Sequence, residues 1–157
     1  MHPNPYRDAL GSLEPMKALA ETPRKIATLA KRWTRRQWDQ PYAPGKWTAR
    51  QIVVHLTQME LALMTRARFA ASQEGYVAQP FDQDAWMPLD AGATGGTALA
   101  AYRALRQFNL SMLKGLSPEH RRRQFTHPEF GRLTVEWVAA QIAGHELHHL
   151  RQLRLIK

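Results

Sequence analysis

The stripe of residues that closes this chain constrains its fold more than any other feature. From Thr134 onward the inward-spaced positions are Val138, Ile142, His145, His149, Gln152 and Ile156, in steps of 4, 3, 4, 3 and 4. That is the spacing of one helix face packed against other helices. Two histidines and a glutamine therefore stand where a bundle seam ordinarily carries Leu or Ile. An imidazole in such a seam needs a partner, because burying it without one is costly.

The rest of the chain supplies the helices that this seam requires. A first helical stretch is expected from about Glu14 to Trp38, with Pro15 and Pro23 as first-turn residues and Thr22 as a cap between a short helix and a longer one. Gln40 to Lys46 reads as a turn. Thr48 caps a second helix reaching about Gln73, with Ile52, Leu56, Met59 and Leu63 along one face and His55 beside them. The Gly-, Pro- and Asp-rich segment from Glu74 to Gly96 is too long for a turn and suits a crossover. A third helix is expected from about Thr97 to Gly115 on a face of Ala101, Leu105, Phe108 and Met112. Ser117-Pro118-Glu119 opens a short helical turn, and His127 to Arg132 reads as loop. Strand signals are weak throughout, so the expectation is an all-α four-helix bundle forming one domain over residues 1–157.

Composition narrows the chemistry. The chain has no cysteine, which removes disulfides, thiolate nucleophiles and Cys-held zinc, so any metal must be held by His, Asp or Glu. No apolar run reaches the ~18 residues of a membrane span, and the start MHPNPYRDAL lacks the apolar core of a secretory signal, which points to the cytoplasm. The net charge of +9 raises nucleic acid as a partner. The basic residues are scattered and match no nucleic-acid motif, so solvated helix faces are the better reading.

Within the stripe, His145-Glu146-Leu147-His148-His149 satisfies HExxH, the zinc-protease helix motif. An i, i+4 pair shares one helix face and can converge on one ion. His148 lies off the stripe and is expected to line the site rather than bind. Zinc proteases of this kind take a third ligand downstream, whereas LRQLRLIK after His149 offers none. The third ligand is therefore expected upstream, at His55. Glu146 is the candidate general base by motif, but at ~100° of rotation from His145 it either grazes the site or faces solvent.

PGKWTARQIVVHLTQMEL (Pro44–Leu61) and HPEFGRLTVEWVAAQIAGHELHHLRQL (His127–Leu153) together resemble the DinB/YfiT-like superfamily of metal-binding helical bundles, unrelated to the DNA polymerase that shares the name DinB. The similarity runs from about Asn4-Pro5-Tyr6 to Leu153. It rests on the Trp before the cap, the histidine in the second helix and the terminal HxxxH followed by Gln. It implies up-down-down-up helix order, a divalent metal (zinc or nickel) on His55, His145 and His149, and open positions for water or substrate. It also implies a homodimer and either a hydrolase or a transfer reaction using a low-molecular-weight thiol on a small-molecule substrate. A stress-related metal-binding protein without catalysis is the alternative. Three neutral imidazoles leave the metal its charge, so a bound water or thiol becomes more acidic. The family's Asp/Trp segments lie near the metal mouth, which makes Asp82, Asp84 and Trp86 candidates for the pocket or for hydrogen bonds to ligand histidines. Gln152 is expected to orient a ligand or cap the pocket.

Overall fold

Each of the four long helices begins on a side-chain cap. The computed structural model describes residues 2–157. Its elements in order are α1 (Arg7–Leu10), α2 (Pro15–Ala30), α3 (Arg35–Trp38), α4 (Ala49–Ser72), α5 (Gln83–Trp86), a 3-10 turn (Met87–Asp90), α6 (Gly95–Gly115), α7 (Pro118–Arg122), a hairpin of β1 (Gln124–His127) and β2 (Gly131–Thr134), and α8 (Val135–Leu153). Glu14, Thr48, Thr94 and Thr134 accept hydrogen bonds from the first-turn amides of α2, α4, α6 and α8. Thr48 and Gln51 do so reciprocally.

The long helices form a square in which α4 and α2 each pack against both α6 and α8, so consecutive helices α2 and α4 stand on a diagonal. Thr57 and Glu60 of α4 meet Ala98 and Arg106 of α6 in the same order along both helices, so this pair is parallel. Residues at the start of α2 lie beside the start of α8, another parallel pair. Trp47, just before α4, stacks near His149 at the far end of α8, so α4 and α8 run oppositely. This is the up-down-down-up order expected. The parallel pairing obliges residues 73–94 to return along the bundle as a crossover.

Three local expectations are corrected. The first stretch is not one run ending at Trp38. α2 stops at Ala30, and Thr34 with Gln37 caps a separate turn, α3. Pro15 takes the first helical position, but Pro23 lies inside an unbroken helix and Thr22 donates to the Ala18 carbonyl at 2.8 Å instead of capping. A proline there leaves the Leu19 carbonyl without its helical donor. Arg106 Nη1 replaces that donor at 3.1 Å.

The buried face of α6 is Ala98, Tyr102, Arg106, Asn109 and Leu113, one position away from the stripe expected. Ala101, Leu105 and Met112 are only half-buried, and Phe108 is 67% exposed. The reason is a polar core. The Arg106 guanidinium pairs with Glu60 of α4 and Glu146 of α8 while holding the Leu19 carbonyl of α2, so one side chain ties all four helices. Asn109 Nδ2 adds a hydrogen bond to Glu60 Oε2 at 2.8 Å. Burial alone would weaken the charge on Arg106, but Glu146, Tyr102 and Glu60 outweigh it and hold the guanidinium well above its ordinary pKa. At Glu146 burial wins, raising the carboxyl to about 7 against the pull of Arg106.

The third correction is the antiparallel hairpin β1–β2, where the sequence suggested loop. Phe125 and Leu133 anchor it in the core, and Gly131 turns it with φ 66°. Tyr76 and Ala78 add backbone bonds to Thr126, fixing the start of the crossover. In the nearby run of Arg121, Arg122 and Arg123, two of the three arginines are already engaged. Arg121 donates to carbonyls at the C-terminus of α6 and Arg123 to Ala71 near the end of α4. Among the described residues no helix is long and apolar enough to cross a membrane.

Candidate metal centre

α4 and α8 run in opposite directions side by side, and their imidazoles meet where the two seams cross. His55 Nε2 lies 3.0 Å from His145 Nε2, which lies 2.9 Å from His149 Nε2. All three residues are buried, and their ligand atoms fall within 4.8 Å of one another. The rings stand edge to face at centroid distances of 4.4–5.1 Å, so their in-plane lone pairs converge rather than the ring faces.

The electrostatics keep these rings neutral. Burial pushes His55 down to about 3, with a further push from His149. It pushes His149 down to about 4, against the opposing effect of its hydrogen bond to Gln152. His145 is driven well below its ordinary value by burial, then by His149, His55 and His148. His149 Nδ1 faces Gln152 Oε1 at 2.7 Å; with the carboxamide in this orientation the imidazole proton sits on Nδ1 and Nε2 is a lone pair. The Nδ1 atoms of His55 and His145 are buried without a protein partner among the described residues. Lone pairs facing one another at this distance are satisfied by a shared cation. Three imidazole nitrogens are a donor set suited to zinc, nickel or another late first-row ion rather than magnesium or calcium.

The walls are aromatic. Trp47 packs 4.8 Å from the His55 ring, with Phe81 beyond it. Tyr6 meets His145 edge-on at 4.9 Å. That approach depends on Gly144, where a Cβ would stand 2.5 Å from the Tyr6 carbonyl oxygen. The N-terminal segment is tied over α8 by Trp137 Nε1 to the His2 carbonyl at 2.8 Å and Arg151 to the Ala9 carbonyl at 3.2 Å. A cavity of about 280 Å³ opens on His145 and His149, bounded by Tyr6, Tyr42, Lys46, Trp47 and Gln83 together with His148 and Gln152.

The remaining expected residues take different places. His148 is exposed at the cavity rim, with its Nε2 3.0 Å from Gln152 Nε2. Gln152 bridges His149, His148 and the Tyr42 hydroxyl. Glu146 neither grazes the cavity nor faces solvent: it is 1% exposed and its carboxylate is turned to Arg106. Asp82 caps α5 by accepting from the amides of Asp84 and Ala85, and Asp84 is exposed beside Trp47 and Met87. Among the described residues neither carboxylate bonds a histidine of the cluster. Trp86 meets Phe81 edge-on at 4.9 Å, and its carbonyl accepts from Gln58. Reasoning from sequence passed over Tyr42, Lys46 and Gln83 as cavity residues. Tyr42 and Lys46 stand in the segment read simply as a turn, and Gln83 lies between the two aspartates weighed instead.

Comparison with known proteins places this geometry. A model of the DinB superfamily matches residues 18–153. A protein of Oceanobacillus iheyensis named "Putative metal-dependent hydrolase OB0782" is 32% identical over 118 residues, 74% of this chain and 69% of that protein. YfiT of Bacillus subtilis is 28% identical over 141 residues, 88% of this chain and 79% of its own. Its structure, described as that of a probable metal-dependent hydrolase with an unusual four-helix bundle topology, superposes with a TM-score of 0.82 over 89% of this chain and 82% of that one. A mycothiol-dependent maleylpyruvate isomerase shares the fold at 10% identity, with a TM-score of 0.73 over 94% of this chain and 62% of its own.

Proposed function

The chain belongs to the DinB superfamily, and from that premise we propose that it is a divalent-metal-dependent hydrolase of a small molecule, with His55, His145 and His149 as the metal ligands. The observation that carries the reading is the convergence of three buried, neutral imidazoles on one point, with two of them, His145 and His149, lining a cavity. A zinc or nickel ion there would keep its charge against neutral ligands, acidify a water or thiol, and polarise an ester or amide carbonyl. The chain's own residues supply the rest. Trp47 and Phe81 keep bulk water from His55, Gln152 holds the His149 tautomer, and the cavity admits a ligand of small-molecule size. Glu146 belongs to the scaffold in this reading, because its carboxylate is committed to Arg106. The same site would also serve a low-molecular-weight thiol transferred to an electrophile; one neighbour on this fold, an isomerase, is named as mycothiol-dependent.

The test uses protein loaded with zinc or nickel. Small aryl esters and amides form one panel, and a small thiol with an electrophile forms the other. Turnover of the first panel, abolished by chelation and restored by metal, is the expected result. Turnover of the second panel alone would make the protein a transferase. Stoichiometric metal with neither activity would leave a non-catalytic metal-binding protein.

A cytoplasmic homodimer completes the reading. What supports a second copy is the outer face of α4 and α6, where Leu61 is 46%, Phe69 42% and Phe108 67% exposed. Arg68 on this face already lies over the Phe108 ring at 5.0 Å, so pairing like faces does not bring bare cations together. Phe108→Glu is expected to shift the protein from dimer to monomer in sedimentation equilibrium without changing its metal content. A wild-type monomer at tens of micromolar would end this part of the reading.

A further inference from the structure

The hydrogen bonds behind the metal cluster have a direction, and that direction ends at Tyr42. His149 Nδ1 and Gln152 Oε1 are 2.7 Å apart, and the other end of the same amide, Nε2, lies 3.2 Å from the Tyr42 hydroxyl and 3.0 Å from His148 Nε2. A carboxamide can be placed either way round, but only one placement suits a metal-bound His149. If the amide nitrogen faced His149 Nδ1, the imidazole proton would move to Nε2, in among the Nε2 atoms of the cluster. With Oε1 on the His149 side, the Gln152 nitrogen can only donate, and the Tyr42 oxygen must accept.

An accepting Tyr42 still carries its own proton. Among the described residues no protein acceptor takes it, and Tyr42 lines the cavity that opens on His145 and His149. The ring is held in place by a tight turn. Tyr42 N bonds the Trp47 carbonyl at 3.3 Å, Ala49 N bonds the Gln40 carbonyl at 3.1 Å, and Gly45 makes the reversal at φ 69°. A fixed hydroxyl whose lone pair is already engaged is a pre-aimed donor, the kind of group that stabilises negative charge developing on a substrate oxygen. We propose that Tyr42 is a catalytic residue, donating a hydrogen bond from its hydroxyl to the substrate oxygen that gains charge beside the metal, with Gln152 as the positioning residue that fixes its polarity. The assignment rests on the metal-dependent reading of the site.

The experiment compares wild type with Tyr42→Phe at full zinc occupancy, using phenylphosphonate as a mimic of the tetrahedral oxyanion formed when the carbonyl is attacked and titration calorimetry as the readout. The variant keeps the ring and loses only the donor. Its phenylphosphonate affinity is expected to fall about 10- to 100-fold, the effect of one hydrogen bond to a charged group, while its zinc affinity stays within about twofold of wild type. In the ester assay kcat is expected to fall by about 10²-fold with little change in KM. Gln152→Leu, by contrast, is expected to weaken zinc itself by about 10- to 100-fold. Equal phenylphosphonate affinity in wild type and Tyr42→Phe overturns the assignment while leaving the metal reading intact, as does a phosphonate that binds neither. A wild-type protein that takes up neither zinc nor nickel overturns both. Zinc-loaded protein that hydrolyses no ester but loses phosphonate affinity in Tyr42→Phe supports the hydroxyl's role as oxygen-binding donor and fails only the hydrolase reading.

Discussion

Replacing His145 with alanine is expected to lower metal affinity by about 10²- to 10³-fold, whereas His148→Ala leaves it unchanged. Both residues belong to the HELHH run, and local spacing alone allows either to pair with a neighbour on the helix. The fold separates them. His145 is buried with its Nε2 within 3.0 Å of His55 and 2.9 Å of His149, so it bridges the other two, while His148 is exposed at the rim. A four-ligand zinc site is worth about 10–16 kcal/mol. One ligand's share is then about 2.5–4 kcal/mol, which converts to the loss stated. Competition with a chromophoric chelator measures it. Hydrolytic activity should follow metal content in His145→Ala and return in part at high added zinc. Equal zinc affinity in His145→Ala and wild type would show that the cluster is a set of core histidines and not a ligand set.

How much of this could be read from sequence depends on the distance over which each signal acts. The caps at Thr48, Thr94 and Thr134 act within three residues, and two of the three were placed from the residues next to them. The histidines of α8 stood out because a strict helical period and the wrong side-chain chemistry coincide, and His55 because it flanks an apolar stripe. The structure brings these three together across the bundle. The link from Gln152 to Tyr42 spans 110 residues of chain, and nothing local at Tyr42 announces it. The hairpin strands are four residues each, too short for an alternating pattern to register. Arg106 was hidden for a different reason. A charge at a core position looks like a surface residue, so the inward face of α6 was drawn through Phe108 and its apolar neighbours instead. Pro23 misled in the same way, because the group that compensates it is that same arginine on another helix.

Arg106→Met is expected to destabilise the protein by about 3–5 kcal/mol, the usual result of removing one partner from a buried ion pair. The loss is of one guanidinium but touches four helices. Glu60 and Glu146 would be left facing each other in the core, and the Leu19 carbonyl opposite Pro23 would lose its replacement donor. Lysine should rescue little, since a single ammonium cannot present the fork that reaches both carboxylates and the carbonyl. Measured by urea unfolding in the presence of chelator, so that metal binding does not mask the change, the deficit is a large fraction of the ~5–15 kcal/mol typical of a domain. Converting the whole cluster to apolar side chains, Glu60→Leu and Glu146→Leu with Arg106→Met, should recover most of it, because the cost lies in the unpaired charges rather than in the absence of the ion pair. The apolar triple variant should also retain zinc affinity within about tenfold of wild type, since the ligand rings do not bond to the arginine cluster. An Arg106→Met protein as stable as wild type would mean that the guanidinium contributes no net stability, and that the apolar contacts of the four helices hold the bundle on their own.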